Sequence, residues 1–370
     1  MTSDPSIEID PDHPALTQDI IGQDAAVADA AQALTGDHLH HAWLFSGPRG
    51  IGKATLAWRM AHAILTRPED TGAGLFGDAM PAVDPMAPPM DSPVLRRMML
   101  GGEARFFHLT RSVDEKTGRL RAQITVDDVR KLKSFFGLSA ADGGWRVVLV
   151  DAADDMNISA ANAILKLLEE PPARAVLILL AHSPAKLLPT IRSRCRVLRM
   201  LPLGADDMAR ALRQNGIEAA TDDPRLTELA GGSVGTALSL LQQNGMGLFQ
   251  DMIDLISTMP RLARHKAVAM ADKLGARGQE AQLDLFFMLL DVILTRLART
   301  GAMGAPPPGT SQDEAAMLMR LAPHPAAARR WADLAQEIGN RATHARAVNL
   351  DPAALILDTL WKMQGAARPS

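Results

Sequence analysis

The run HAWLFSGPRGIGKAT, residues 41–55, constrains the fold more than any other stretch of the chain. Trp43, Leu44 and Phe45 form an apolar strand that leads into a turn with glycines at 47, 50 and 52, and Lys53 closes that turn. Leu56, Met60 and Ile64 then recur at helical spacing over about 53–65. A strand that delivers GxxxxGK to the start of a helix gathers backbone N–H groups, the positive end of the helix dipole and a lysine onto one point, which suits a phosphate. The alternative, a glycine-rich turn with a solvated lysine, does not require the flanking strand and helix. The next position should carry a Ser or Thr hydroxyl for magnesium, and it is Ala54. Thr55 lies one place on, about a quarter-turn around the helix.

The chain that follows reads as alternating strands and helices. A helix is expected over Gln23–Leu34 before the strand at 43–46; later come a strand at Arg105–Leu109, an amphipathic helix at Val126–Phe136 and a buried strand at Arg146–Val150. Ser159–Glu170 reads as a helix stopped by Pro171 and Pro172, Ala175–Leu180 as a second buried strand, and Arg196–Met200 as a short last one. Continuous apolar strands separated by helices predict a mainly parallel sheet covered on both faces. Residues 1–16 read as a mobile leader, and the Pro/Gly/Met-rich stretch 66–104 as a surface insertion with little periodicity. After Pro202 strand candidates disappear. Short helices are expected around Gly231, Gly232 and Ser233, and Leu283, Phe286, Leu290, Ile293, Leu294 and Leu297 make a helical apolar stripe. GAMGAPPPG at 301–309 breaks the helical run, and a last helix is expected over Pro352–Met363.

Three further segments carry candidate chemistry. RVVLVDAADD places Asp151 at the end of an apolar strand, where a P-loop ATPase holds its magnesium-organising carboxylate. The position after it, which supplies the water-activating acid in such enzymes, is Ala152. NISAANAILKLLEEPP is an amphipathic helix with a sharp stop, with Asn162 and Lys166 on one face. LPTIRSRCRVL clusters Arg192, Arg194, Arg196 and Arg199 before and within a short strand. An arginine at a domain edge can stabilise transition-state charge on a neighbour's γ-phosphate; a basic or acid-paired surface is the plainer reading of the cluster taken alone.

In their order, IIGQDAA (20–26), HAWLFSGPRGIGKATLA (41–57), ITVDDVRKL (124–132), VVLVDAADDMNISAANAILKLLEEPP (147–172) and LLPTIRSRC (187–195) resemble the bacterial clamp-loader family within the AAA+ ATPases. NLDPAALILDTLWKM (349–363) resembles the end of that family's C-terminal domain. The resemblance implies an α/β P-loop (AAA+) domain over 1–202, with 66–104 inserted, a small helical lid over 203–246 and an all-α collar, the oligomerisation domain, over 247–370. It implies a non-hydrolysing stator that lends Arg194, within Ser193-Arg194-Cys195, to a neighbouring ATP site. Gly47, Gly50, Gly52, Lys53, Thr55 and Asp151 become the remains of a degenerate nucleotide site, which binds ATP or ADP weakly or is a relic; no cofactor is required. Gly235 stands where motor relatives place a phosphate-sensing arginine. The implied partners are motor (gamma/tau-like) and delta-like subunits and, through them, a sliding clamp and primed DNA. The family's four-cysteine zinc module belongs in 66–104, which has no cysteine, so no zinc is expected; His38, His40 and His41 fit a helix-to-strand turn better than a metal site. Two other readings stay open: an active gamma/tau-like ATPase motor, which would need Thr55 on magnesium, and an unrelated P-loop enzyme such as a small-molecule kinase.

Bulk properties narrow the choice. With 370 residues, 47% of them hydrophobic, the chain has core material for two or three domains. A net charge of −3 argues against free-standing, non-specific nucleic-acid binding. No apolar run approaches the ~20 residues of a membrane span, the acidic start MTSDPSIEIDPDHP does not read as a signal peptide, and the lone Cys195 excludes an internal disulfide. A cytoplasmic protein is the expectation.

Overall fold

The computed structural model describes residues 10, 13–36, 39–67, 86–89, 91–114, 118, 120–137, 144–218, 224–348 and 350–368. These fall into two compact units, Met1–Ile217 and Glu218–Ser370. The first contains α1 (Asp24–Thr35), β1 (Ala42–Ser46), α2 (Lys53–Leu65), α3 (Pro93–Met99), β2 (Phe106–Leu109), α4 (Val126–Gly137), β3 (Arg146–Val150), α5 (Ile158–Glu169), β4 (Ala175–Ala181), α6 (Pro189–Arg192), β5 (Arg196–Arg199) and α7 (Ala205–Gln214). Its five strands form one parallel sheet in the order β2-β3-β4-β1-β5. This is the α/β parallel-sheet domain expected from the sequence.

Every residue of β1 and β4 is buried, as strands sandwiched between helices must be. Leu44, Val148, Val150, Leu177 and Leu179 point to one face and pack with Val129 and Leu132 of α4 and Ile164 and Leu168 of α5. The alternate positions meet α2, which lies against β1, β3 and β4. Asn157 caps α5 by accepting the Ala160 N–H at 2.8 Å. That helix ends at Glu169, just before the Pro171-Pro172 stop.

Two expectations for this unit are corrected. Residues 13–16 are not a mobile leader. His13 caps a single 3-10 turn, Pro14–Leu16, Ala15 is buried, and the His13 ring sits edge-on to Trp58 at 4.6 Å. The rest of the 1–16 segment, apart from residue 10, lies outside the described residues, as do 68–85 and 90 of the insertion and His38. Nor is 66–104 structureless throughout. Ser92 caps α3, Pro93 occupies its first turn, and Leu95, Met98 and Met86 are buried. Arg59 of α2 holds this part down by donating to the Met86 carbonyl at 3.0 Å, and the His62 ring bonds the Ser92 hydroxyl at 2.7 Å. Seven helical residues are too few to show a period, so burial rather than patterning reveals the helix.

The described elements of the second unit are all helices: α8 (Pro224–Leu229), α9 (Val234–Gln242), α10 (Gly245–Ile256), α11 (Arg264–Gly275), α12 (Glu280–Met303), α13 (Gln312–Leu321), α14 (Pro325–Val348) and α15 (Pro352–Ala366). The predicted stripe on α12 is buried except for Leu283, which is half-buried. Gly304 in the left-handed conformation ends that helix at the expected break. Arg296 of α12 is buried and pairs with Glu314 at 2.6 Å and Glu228 at 3.4 Å, tying α12 to α13 and α8.

Candidate functional site: a phosphate loop and a remote arginine

The loop after β1 runs at the carboxyl edge of the sheet, the edge where open α/β sheets bind ligands. Gly47 N–H donates to the Ala181 carbonyl at 3.2 Å, seating the loop on β4. A Cβ on Gly47 would lie 2.3 Å from the Met200 carbonyl oxygen and 2.7 Å from Ile51 Cδ1, so only glycine fits. Gly52 caps α2 with φ of +96°, a conformation glycine adopts without strain. Lys53 opens the helix, buried, and its ammonium donates to the Gly47 carbonyl at 2.6 Å and to that of Pro48.

Burial pushes the Lys53 pKa down to about 8; Asp154 and Asp151 oppose that lowering and Arg49 adds to it. Asp151 stands at the end of β3 as the sequence implies, its amide bonded to the Leu109 carbonyl at 2.9 Å and its carboxylate 4.0 Å from His108 Nε2. Ala152 is buried at 1% exposure. Ala54 offers no side-chain oxygen, and Thr55 is buried. The loop, the lysine and the aspartate thus converge, and the side chains at positions 54 and 152 are methyl groups.

Two residues of this edge were not foreseen. The Asp154 carboxylate accepts the amides of His182 at 3.0 Å and Ser183 at 2.7 Å, joining the exits of β3 and β4. His182 has its pKa lowered by burial first and by Lys53 next, against Asp154. Its Nδ1 is buried without a hydrogen-bond partner among the described residues. Asp154, the first Asp after Asp151 in DAADD, is the signal that marks this clamp. A cavity of about 590 Å³ lies in the same unit, lined by Gln18, Ile20, Asp24, Arg59 and Arg210 among others. Ile20 reaches within 3.8 Å of where a Gly52 Cβ would stand, so the cavity borders the loop.

Arg194 is elsewhere. It precedes β5, and β5 runs parallel to β1, whose far end carries the loop. A five-residue strand spans about 16 Å, so Arg194 and Lys53 occupy opposite edges of one sheet. Arg194 is partly exposed; its guanidinium meets Glu169 at 2.8 Å and the Thr190 carbonyl at 2.9 Å. Ser193 donates to the Thr190 carbonyl at 3.2 Å, and Cys195 is a core residue whose thiol burial pushes up to about 12. Of the other arginines, Arg196 lies over the Trp43 ring and pairs with Asp29 of α1, while Arg192 and Arg199 are exposed. His40 and His41 are used in the turn before β1, His41 bonding the Leu168 carbonyl at 3.0 Å. No group of three or more metal-ligating side chains comes together among the described residues, and no helix among them is long and apolar enough to cross a membrane.

Residues 22–204 match the protein family described as "DNA polymerase III, delta subunit". The chain is 36% identical to DNA polymerase III subunit delta' of Pseudomonas aeruginosa over 62% of its length and 63% of that protein's. It is 26% identical to DNA polymerase III subunit tau of Escherichia coli over 83% of its length and 47% of the relative's. The chain therefore spans less than two thirds of either relative. One solved structure, a DNA polymerase III gamma subunit-related protein of Thermotoga maritima, superposes with a TM-score of 0.43 at 16% identity, over 93% of this chain and 100% of that one.

Proposed function

We propose, from the match of residues 22–204 to the family described as "DNA polymerase III, delta subunit" and the likeness to a delta' subunit, that the chain is the delta-prime-like stator of a clamp loader. In this role it supplies Arg194 in trans to the ATP site of a gamma/tau-like neighbour while the ring, with a delta-like subunit, loads a sliding clamp on primed DNA. Residues 203–246 act as the lid and 247–370 as the collar that joins the ring. The observation that carries the reading is the position of Arg194: the sheet edge opposite this chain's own phosphate loop, anchored yet partly exposed. A guanidinium so placed cannot serve Lys53, and it is free to face another subunit.

The remains of the local site support binding without turnover. The glycine loop, Lys53 and Asp151 suit a nucleotide's phosphates, and the cavity beside Ile20 has room for its nucleoside. The site is a poor fit for hydrolysis. Ala54 supplies no magnesium hydroxyl, Ala152 accepts no proton, and Thr55 is buried in α2. ATP or ADP is bound weakly, with no hydrolytic step at this chain's own loop.

The test is the assembled complex with Arg194→Ala. An arginine finger contributes roughly 10³–10⁵ to turnover at the site it serves, so single-turnover hydrolysis at the adjoining site should fall by about 10³ or more while the complex keeps its mass and its other sites. Unchanged turnover would refute the role. Brisk ATP hydrolysis by the isolated chain would instead favour the gamma/tau-like motor.

A further inference from the structure

The sequence marks the end of α5 only as a helix stop, yet the chain places two carboxylates, Glu169 and Glu170, in that last turn. The C-terminal end of a helix is its negative end and disfavours acids. Lys166 lies in the same turn, and a second cation, Arg194, reaches Glu169 Oε1 at 2.8 Å. The second branch of the same guanidinium donates to the Thr190 carbonyl at 2.9 Å and approaches the Ser193 hydroxyl at 3.4 Å. The fork is thus fixed at both ends, from α5 on one side and from α6 on the other. Both anchors lie at the amino edge of the sheet: α5 feeds β4, and the Arg194 turn feeds β5.

An ion pair with partners 35% and 48% exposed contributes little to folding stability. What it removes is freedom, because a long arginine side chain otherwise samples many rotamers. We propose that Glu169 is a positioning residue that presents Arg194 across the subunit boundary in a reaction-ready orientation. The inference rests on the trans-arginine reading above. The carboxylate touches neither nucleotide nor phosphate; it acts only through the guanidinium. Thr190 contributes a backbone carbonyl, which no side-chain substitution removes, so Glu169 is the replaceable half of the clamp.

The experiment uses the full complex and single-turnover ATP hydrolysis at the adjoining site, with Glu169→Ala, Glu169→Gln, Arg194→Ala and the double variant. Misplacement of a reacting group costs up to about 100-fold. Glu169→Ala, which leaves the Thr190 anchor in place, should lower kcat roughly tenfold with KM for ATP and complex mass unchanged. Glu169→Gln, which keeps an acceptor but loses the charge, should fall between. In the Arg194→Ala background Glu169→Ala should have no further effect, since nothing remains to be positioned. An equal loss in both backgrounds would show that Glu169 merely supports the end of α5 and would overturn the proposal. So would no loss, or a faster rate, from Glu169→Ala alone. If Arg194→Ala itself changed nothing, the trans-arginine reading would fall first and the positioning role with it.

Discussion

Lys53 holds an electrostatic conflict that can be measured. Its pKa is lowered from 10.5 to about 8, first by burial, with Asp154 and Asp151 opposing and Arg49 assisting. A tenfold loss of proton affinity corresponds to about 1.4 kcal/mol, so the charged lysine costs the folded state about 3 kcal/mol. The folded pKa lies below the unfolded one, so between pH 8 and 10.5 the unfolded chain binds more protons. Stability therefore rises across that window as the penalty is relieved, and below it the penalty is fully present. Chemical denaturation of the isolated chain, with and without Lys53→Met, isolates this contribution from every other titration. From neutrality to pH about 10.5 the native chain should gain about 3 kcal/mol relative to the variant. A difference curve that stays flat would refute the assignment. The same linkage governs ligand binding. A phosphate beside Lys53 favours the ammonium, so nucleotide binding takes up a proton, and affinity should fall by up to about tenfold per pH unit above 8. Calorimetry with Mg-ATP in buffers of different ionisation heat reads that proton directly.

Two substitutions test the framework around the sites. Glu314→Ala leaves the buried Arg296 with only the longer contact to Glu228 and should cost about 3 kcal/mol, the low end for breaking a buried pair, measured by urea unfolding. Gly47→Ala forces a methyl group against the Met200 carbonyl and should destabilise the chain by about 1–3 kcal/mol, with any nucleotide binding lost; a variant as stable as the native chain would show that the loop yields there.

Much of the sheet was legible because its strands are fully buried and so read as unbroken apolar runs, Val147–Val150 and Val176–Ala181 among them. The loop was legible because its geometry demands glycines at fixed places. What escaped sequence reasoning depends on which elements lie side by side. Glu169 and Arg194 are separated along the chain by the whole of β4 and α6, and only the docking of α6 on α5 brings them within 2.8 Å. Asp154 looks like one more acid after a strand until β4 places the His182 and Ser183 amides above it. The helix within the insertion escaped because Pro, Gly and Met dominate its surroundings, whereas its two buried residues, Leu95 and Met98, suffice to dock a short turn of helix. Methionine, unbranched and adaptable, fills such irregular contacts without leaving a regular pattern behind.

The glycine loop has structural uses that do not depend on any chemistry of a bound nucleotide. Gly47 closes on the Met200 carbonyl, Ile51 is buried, and the residue-52 turn abuts Ile20 and the Met200 side chain. The Gln23 amide then bonds Leu201 twice, donating to its carbonyl at 2.7 Å and accepting its N–H at 3.2 Å. The loop backbone is therefore the seam along which β1, the exit of β5 and the residues before α1 are joined. Replacing its glycines would open that seam. By contrast, a hydroxyl at position 54 or a carboxylate at position 152 would serve only the chemistry of a bound nucleotide, and methyl groups there leave every one of these contacts intact. On the stator reading proposed above, the second set is dispensable and the first is not, so an intact glycine loop reports the architecture of the domain, and the identity of the residues beside it bears on whether that domain turns over.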